Sequence, residues 1–300
     1  MLIEDLRALT VAIECASLTK AAEKLHLTQS AVSRRIQHLE EYLGATLFDR
    51  TSRPPLPTAM GLRVYESAVT LLRDAEQLRR IPQESATPSG KFRVGVTQVV
   101  ADAVVLDTVT SIRKAFPQLE MQIATHWSFE LEKLFDEGLL DAATLLRPAP
   151  STLAAGMDGK RVATLEVLVL QSRAHPLTDS VSDLQRLAAH EWILNPKGCA
   201  YRSALETAMG RAGHTLRLGI DTHGATIQTR MIAAGLGLGL LPRRLYEQSP
   251  FRDELAIVEV ADFSLHIDVW VAHPAQPGNL KQANELLIEQ VMAGFADDGR

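Results

Sequence analysis

Six residues within one short stretch carry side chains suited to reading the edges of base pairs: Thr28, Gln29, Ser30, Ser33, Arg34 and Gln37. Glutamine pairs with adenine, arginine with guanine, and serine or threonine with bases or phosphate. At about 100° per residue, Ser30, Arg34 and Gln37 point away from an apolar stripe of Val32, Ile36, Leu39 and Leu43, with Gln29 and Ser33 on its flank. Two further cations, Arg50 and Arg53, fall in a proline-rich stretch and are suited to phosphates or a minor groove. A second set of residues suits a small anion: Thr97, Gln98, Trp127, Ser128, Arg147, Gly198, Cys199, Tyr201, Thr222 and His223. Among them Arg147 is the natural bidentate partner of a carboxylate.

The elements that must position the first set are short. Ala21, Ala22 and Leu25 share one side of a helix, and small alanines there let a second helix cross closely. Residues 25–27 make a turn, and Thr28 is a good N-cap for the helix that follows. Residues 45–58 then form a β-wing with Arg50 and Arg53 near its tip, stiffened by Pro54, Pro55 and Pro57. A solvated amphipathic helix followed by a basic surface loop is the plainer reading of the same residues.

The matching string runs from Leu6 through Ala-Ala-Glu-Lys-Leu (21–25), Thr-Gln-Ser-Ala-Val-Ser-Arg-Arg-Ile (28–36), Leu-Glu-Glu-Tyr-Leu-Gly (39–44), Leu-Phe-Asp-Arg (47–50) and Thr-Ala-Met-Gly (58–61). In order and spacing it resembles the LysR-type transcriptional regulators. Ser30 stands where that family often has proline, and Pro57 where it often has leucine. Both residues suit their places, since serine fits a first helical turn and proline fits a strand end before a helix.

The resemblance implies an α+β multidomain chain: an N-terminal winged helix-turn-helix plus a two-lobed α/β periplasmic-binding-protein-like effector domain. We expect the DNA-binding domain at 1–58, a dimerisation helix at 59–81 and a hinge at 82–90. The effector domain should span 91–300, with lobe I at 91–161 and 269–300 and lobe II at 162–268. Leu62, Tyr65, Val69, Leu72, Ala75 and Leu78 recur every three or four residues along the connecting helix. In the family that helix pairs with its copy. The implied partners are double-stranded DNA at a roughly palindromic promoter site, a small carboxylate effector, a second copy of the chain within a dimer or tetramer, and RNA polymerase.

Beyond the hinge, strands expected at 92–96, 121–125 and 142–146 alternate with helices at 102–115 and 128–137. A long β-favouring segment at 162–170 crosses into a second lobe, with strands at 192–194, 216–220 and 236–241 and helices at 201–212 and 224–234. Segment 265–272 returns to lobe I, and a helix at 280–295 closes it. In such a fold ligands sit at the carboxyl ends of strands, against helix N-termini. All ten candidate effector residues fall on such turns. Competing readings stand beside three of them: Arg147 as partner of a nearby acid, Trp127 as core, and His223 as a polar cap.

Charge constrains the DNA reading. Residues 1–90 hold 11 Lys/Arg and 11 Asp/Glu, against 20 and 25 in residues 91–300. Binding by bulk charge alone is therefore excluded, and local placement must serve: Arg34, Arg35, Arg50 and Arg53 toward DNA, with Glu40, Glu41 and Asp49 behind.

Hydrophobic residues at 46% and charged residues at 22% describe an ordinary globular chain, and the apolar runs fall short of a membrane span. Without a signal-peptide layout at its start, the chain is expected in the cytoplasm.

Two cysteines, Cys15 and Cys199, do not make a disulfide framework. Cys199 lies near a helix start with Lys197 and Arg202 close by, an arrangement that would lower a thiol pKa. A thiol-switched regulator is thus a second reading, although the family's peroxide sensors use a second cysteine about nine residues on, where Ala208 stands here. A third reading is an α/β ligand-binding module without DNA function. Catalytic motifs and paired metal-ligand spacings are lacking, so no enzyme activity, metal or cofactor is expected; Gly235-Leu-Gly-Leu-Gly239 has the wrong spacing for a dinucleotide loop.

Overall fold

The computed structural model describes residues 2–49, 52, 55–80 and 86–296. Its contacts divide the chain into two compact units, Met1–Glu84 and Ser85–Arg300.

The first unit begins with helices α1 (Leu2–Glu14), α2 (Leu18–Lys24) and α3 (Gln29–Leu43). Strands β1 (Phe48–Asp49) and β2 (Leu56–Pro57) pair antiparallel, and the long helix α4 (Ala59–Arg80) follows. Ser17 caps α2 and Thr28 caps α3, each side-chain oxygen accepting an N–H three residues on. His26, in the turn between them, takes a left-handed φ of 53°. Ala21, Ala22, Val32, Ile36 and Leu39 join Leu6 and Leu9 of α1 in one core, which Leu47 and Phe48 complete. The expected α3 stripe is buried only as far as Leu39. Leu43, beside the C-cap Gly44, stays exposed because the chain turns there and returns Leu47 to the core in its place. Gly61 is fixed by a close approach: a Cβ there would lie 2.1 Å from the Leu47 carbonyl oxygen. On α4, Val64, Ala68 and Leu72 pack on this core, while Leu62, Leu71 and Leu78 are exposed.

The second unit starts with β3 (Gly90–Val96), α5 (Gln98–Ala115), β4 (Leu119–Thr125), α6 (Ser128–Asp136) and β5 (Ala142–Pro148). The 16-residue strand β6 (Met157–Ser172) leads through β7 (Val181–Ser182) and α7 (Leu184–Leu187) into the other lobe. That lobe contains β8 (Glu191–Leu194), α8 (Ala200–Arg211), β9 (Arg217–Asp221), α9 (Ala225–Ala233), β10 (Leu238–Pro242), α10 (Arg243–Glu247) and β11 (Leu255–Val260). Strand β12 (Leu265–Pro274) returns, and α11 (Lys281–Phe295) closes the first lobe.

Each lobe has the expected parallel βα pattern: β3 is parallel to β4 and β5, and β8 to β9 and β10. The two patterns join in one mixed sheet of order β4-β3-β5-β12-β6-β10-β8-β9. Antiparallel β6 and β12 form the ribbon between lobes, and Val167 of β6 is in register with both Leu265 and Pro242. Buried in that ribbon, Asp268 accepts from the Ser151 backbone N–H at 3.0 Å, the Ser151 hydroxyl at 2.9 Å and the Thr164 hydroxyl at 2.7 Å. Desolvation pushes its carboxyl up. The hydrogen bonds from Thr164 and Ser151, with the Arg161 cation, outweigh that and hold it below the usual value.

Candidate DNA-reading helix and effector cavity

On α3, Thr28, Gln29, Ser30, Arg34 and Gln37 are exposed and Ser33 is half-buried. The Thr28 and Ser30 hydroxyls are 3.0 Å apart, while Thr28 accepts the Ala31 N–H. The buried stripe thus leaves these polar side chains free of the core. Arg35 departs from expectation. Its guanidinium turns back to α1, donating to the Glu4 carboxylate at 2.9 Å, and this bond holds the Glu4 carboxyl below its usual value. Its neighbour His38 lies 2.7 Å from the buried Asp5 carboxylate. Residue 35 sits between the outward face and the buried stripe, so an acid on α1 captures it. Glu40 does stand behind, accepting the Leu47 and Phe48 N–H groups. Arg50 and Arg53 lie outside the described residues.

In the second unit a cavity of about 200 Å³ opens between the lobes. It gathers eight of the ten residues expected there: Thr97, Gln98, Trp127, Ser128, Gly198, Cys199, Tyr201 and His223. Four helices, α5, α6, α8 and α9, begin at its walls, after Thr97, Trp127, Cys199 and Gly224 respectively. None of these N-caps makes a side-chain hydrogen bond to the first turn, unlike Ser17 and Thr28 in the other unit. At α8 only the Cys199 sulfur, a weak acceptor, faces the Tyr201 and Arg202 N–H groups. Gly224 holds φ at 90°, a backbone that L side chains rarely adopt. Ser128 accepts the Leu146 N–H at 2.8 Å, which leaves its hydroxyl proton available to donate.

Arg147 and Thr222 do not line the cavity. Strand alternation explains Arg147: Leu146 of β5 faces the cavity, so residue 147 points to the opposite face. There Arg147 donates to Glu132 at 3.0 Å and also to the Thr152 carbonyl oxygen. Thr222 is buried, and its N–H extends the ladder to the Leu194 carbonyl.

Cys199 is buried, and desolvation raises its thiol pKa, outweighing the neighbouring N–H groups and Arg202. The guanidinium expected to activate it is engaged by Glu206 at 2.8 Å and Asp221 at 3.1 Å. Burial likewise keeps the Tyr201 phenol protonated far above its usual range.

Sequence reading missed Asp102, Asn195 and Gln228, which also line the cavity. The signal for Asn195 was present, because it follows strand β8 as Thr97 follows β3. Asp102 and Gln228 lie one helical turn inside α5 and α9, so position on a turn could not reveal them. The Gln98 amide donates to Asp102 at 2.6 Å. Among the described residues there is no cluster of three or more His, Cys, Asp or Glu suited to a metal ion.

Comparison with known proteins matches both units to described families. Residues 3–62 match the bacterial regulatory helix-turn-helix protein, lysR family, and residues 85–295 match the LysR substrate binding domain. The chain is 30% identical over 270 residues to a hydrogen peroxide-inducible genes activator of Dickeya chrysanthemi, covering 84% of this chain and 83% of that one. It is 29% identical to the DNA-binding transcriptional dual regulator OxyR of Escherichia coli K12, over 81% of this chain and 79% of that one. Among solved structures, full-length OxyR C199D from Pseudomonas aeruginosa superposes with TM-score 0.70 at 19% identity, covering 97% and 94% of the two chains. Full-length CbnR in complex with its target DNA superposes with TM-score 0.59 at 18% identity, covering 97% of this chain and all of that one, at 100%. These relatives are regulators rather than enzymes by name. The chain belongs to the lysR family of bacterial regulatory helix-turn-helix proteins, and is a DNA-binding transcriptional regulator with an effector-binding domain.

Proposed function

We propose that this regulator is controlled by a small anion held in the cavity between its effector lobes. The observation that carries the reading is the convergence of four helix starts whose first turns lack a side-chain oxygen cap. Free first-turn N–H groups and the positive ends of helix dipoles make such a place attractive to negative charge. Drug-sized ligands need roughly 300–1,000 Å³, so a cavity of about 200 Å³ suits a smaller molecule. The effector acts by binding one lobe arrangement better than the other, and its leverage equals that difference in affinity.

Thr28, Gln29, Ser30, Ser33, Arg34 and Gln37 enter the major groove, with Arg50 and Arg53 on the backbone or minor groove. The exposed Leu71 and Leu78, seven residues apart on α4, support pairing of that helix with a second copy. Two reading helices then address a roughly palindromic promoter site in the cytoplasm.

A thermal-shift experiment on the full-length protein tests the effector. Small carboxylates at a hundredfold excess over Kd stabilise by about 2.7 kcal/mol, several degrees in Tm, whereas the corresponding neutral amides do not. Ala225→Pro removes one N–H at the first position of α9, where proline is tolerated, and weakens the response. Equal shifts from the neutral amides would overturn the anion reading.

A second reading, a thiol switch at Cys199, draws on the placement of that thiol in the cavity wall and on the names of the relatives. Burial weakens it by suppressing the thiolate, and the other cysteine, Cys15, belongs to the other unit. Loss of peroxide-dependent DNA binding in Cys199→Ser would favour it over the first.

A further inference from the structure

Helix α10 has only five residues, yet they reach three parts of the effector domain. Pro242, immediately before it, and Leu245 within it line the cavity. Arg243 donates twice to the Glu166 carboxylate of β6, from Nε at 2.5 Å and from Nη2 at 3.1 Å. Its neighbour Arg244 crosses to the first lobe, where Nη1 donates to the Gly294 carbonyl oxygen of α11 at 2.6 Å. The guanidinium carbon of Arg244 also stands 5.3 Å from the centroid of the Phe295 ring.

The far end of this contact suits a cation and is firmly seated. Gly294 and Phe295 belong to the last turn of α11, where carbonyls run out of N–H partners inside the helix and the dipole ends negative. A guanidinium there gains a charge-assisted hydrogen bond and a ring face together. Gly294 presses on α5: a Cβ there would lie 1.8 Å from Cγ1 of Val104. Phe295 is buried. The end of α11 is thus fixed to α5, and α5 brings Gln98, Val99 and Asp102 to the opposite wall of the cavity.

Contacts therefore link the two walls by a route that avoids the ribbon of β6 and β12. A hinge movement that displaces Pro242 and Leu245 from α5 must carry Arg244 with them, because a single turn of helix has no room to absorb it. The bond to Gly294 is made in one lobe arrangement and weakened in another. A contact of that kind biases the equilibrium toward the arrangement that makes it.

We propose that Arg244 is a positioning residue that clasps the two lobes in the arrangement seen here, and that lobe movement must open this clasp. Arg244 does not line the cavity and acts through α10 and α11. The inference goes beyond the nature of the effector, and its test needs none.

Acrylamide quenching of Trp127 in the full-length protein, taken as the difference from Trp127→Phe, reports access to the cavity that this indole lines. Arg244→Gln removes the charge and the fork, and raises the Trp127 quenching constant at least twofold well below the unfolding temperature. Arg244→Lys keeps the charge and gives a smaller rise. Phe295→Leu deletes the ring, leaves the carbonyl bond in place, and also gives a smaller rise. These two milder variants keep the test readable even if Arg244→Gln fails to fold. A residue that only stabilises α10 would lower Tm without changing the exposure of an indole across the cavity. Unchanged quenching in folded Arg244→Gln, or in both milder variants, would overturn the clasp. Since no ligand is added, either result leaves the anion reading as it stands.

Discussion

The indole of Trp127 and the imidazole of His223 stand with ring centroids 6.2 Å apart and planes inclined by 48°. One ring follows β4 in the first lobe and the other follows β9 in the second, so their separation reports the approach of the lobes. A change in lobe closure alters the surroundings of this indole, whereas Trp192 is fully buried in the core. The Trp127 emission therefore shifts when an effector binds, and Trp127→Phe removes that component, leaving Trp192 in the core and Trp270 tied by its indole N–H to Ser151. A retained shift in the variant would place the response elsewhere.

Arg147 is paired within the first lobe, on the face of β5 away from the cavity. Its partner Glu132 and the Thr152 carbonyl hold it away from the cavity. Arg147→Ala leaves effector affinity within twofold and costs about 1–3 kcal/mol of stability, the range for charge-assisted bonds in a partly buried setting. Titration of the variant alongside thermal unfolding separates the two effects.

Neighbouring arginines on α3 carry different loads. Arg34 is exposed on the reading face, and Arg34→Ala relaxes specificity at one base pair by about 1–3 kcal/mol. Arg35 is tied to Glu4 in a solvent-facing pair, so Arg35→Ala changes stability by only about 0.2–1 kcal/mol and leaves sequence preference unchanged. Affinity measured against single-base operator variants distinguishes them.

Asp268 gives the effector domain an acid limit. Its folded pKa lies below the ordinary value of 3.8, so its stabilising contribution is full above that value. The contribution disappears as pH falls through the lower folded value. Asp268→Asn lowers Tm at neutral pH and flattens the fall of Tm on acidification below pH 4. An unchanged acid slope in Asp268→Asn would assign that limit to other carboxylates.

Much of this was written locally in the chain. The cap at Thr28, the period of Val32, Ile36 and Leu39, and the placement of Thr97, Trp127 and Cys199 after strands depend on near neighbours in sequence. What escaped depended on distant ones. The face that Arg147 takes, with Glu132 as its partner, depends on strand alternation rather than on position at a strand end. Arg35 was misjudged because its acid lies 31 residues away. The two-residue strand β7 lacks a pattern of its own and exists through its pairing with β11.

Val167 occupies a rung shared by both lobes, since the residue opposite it on one side is Leu265 and on the other Pro242. Pro242 and Leu241 also form part of the cavity wall. A molecule seated against that wall would bear on strand β6, whose other stretch is paired into the opposite lobe through β12. The sheet thus gives the two lobes one common spar, so a displacement at the cavity wall would be felt on both sides of it.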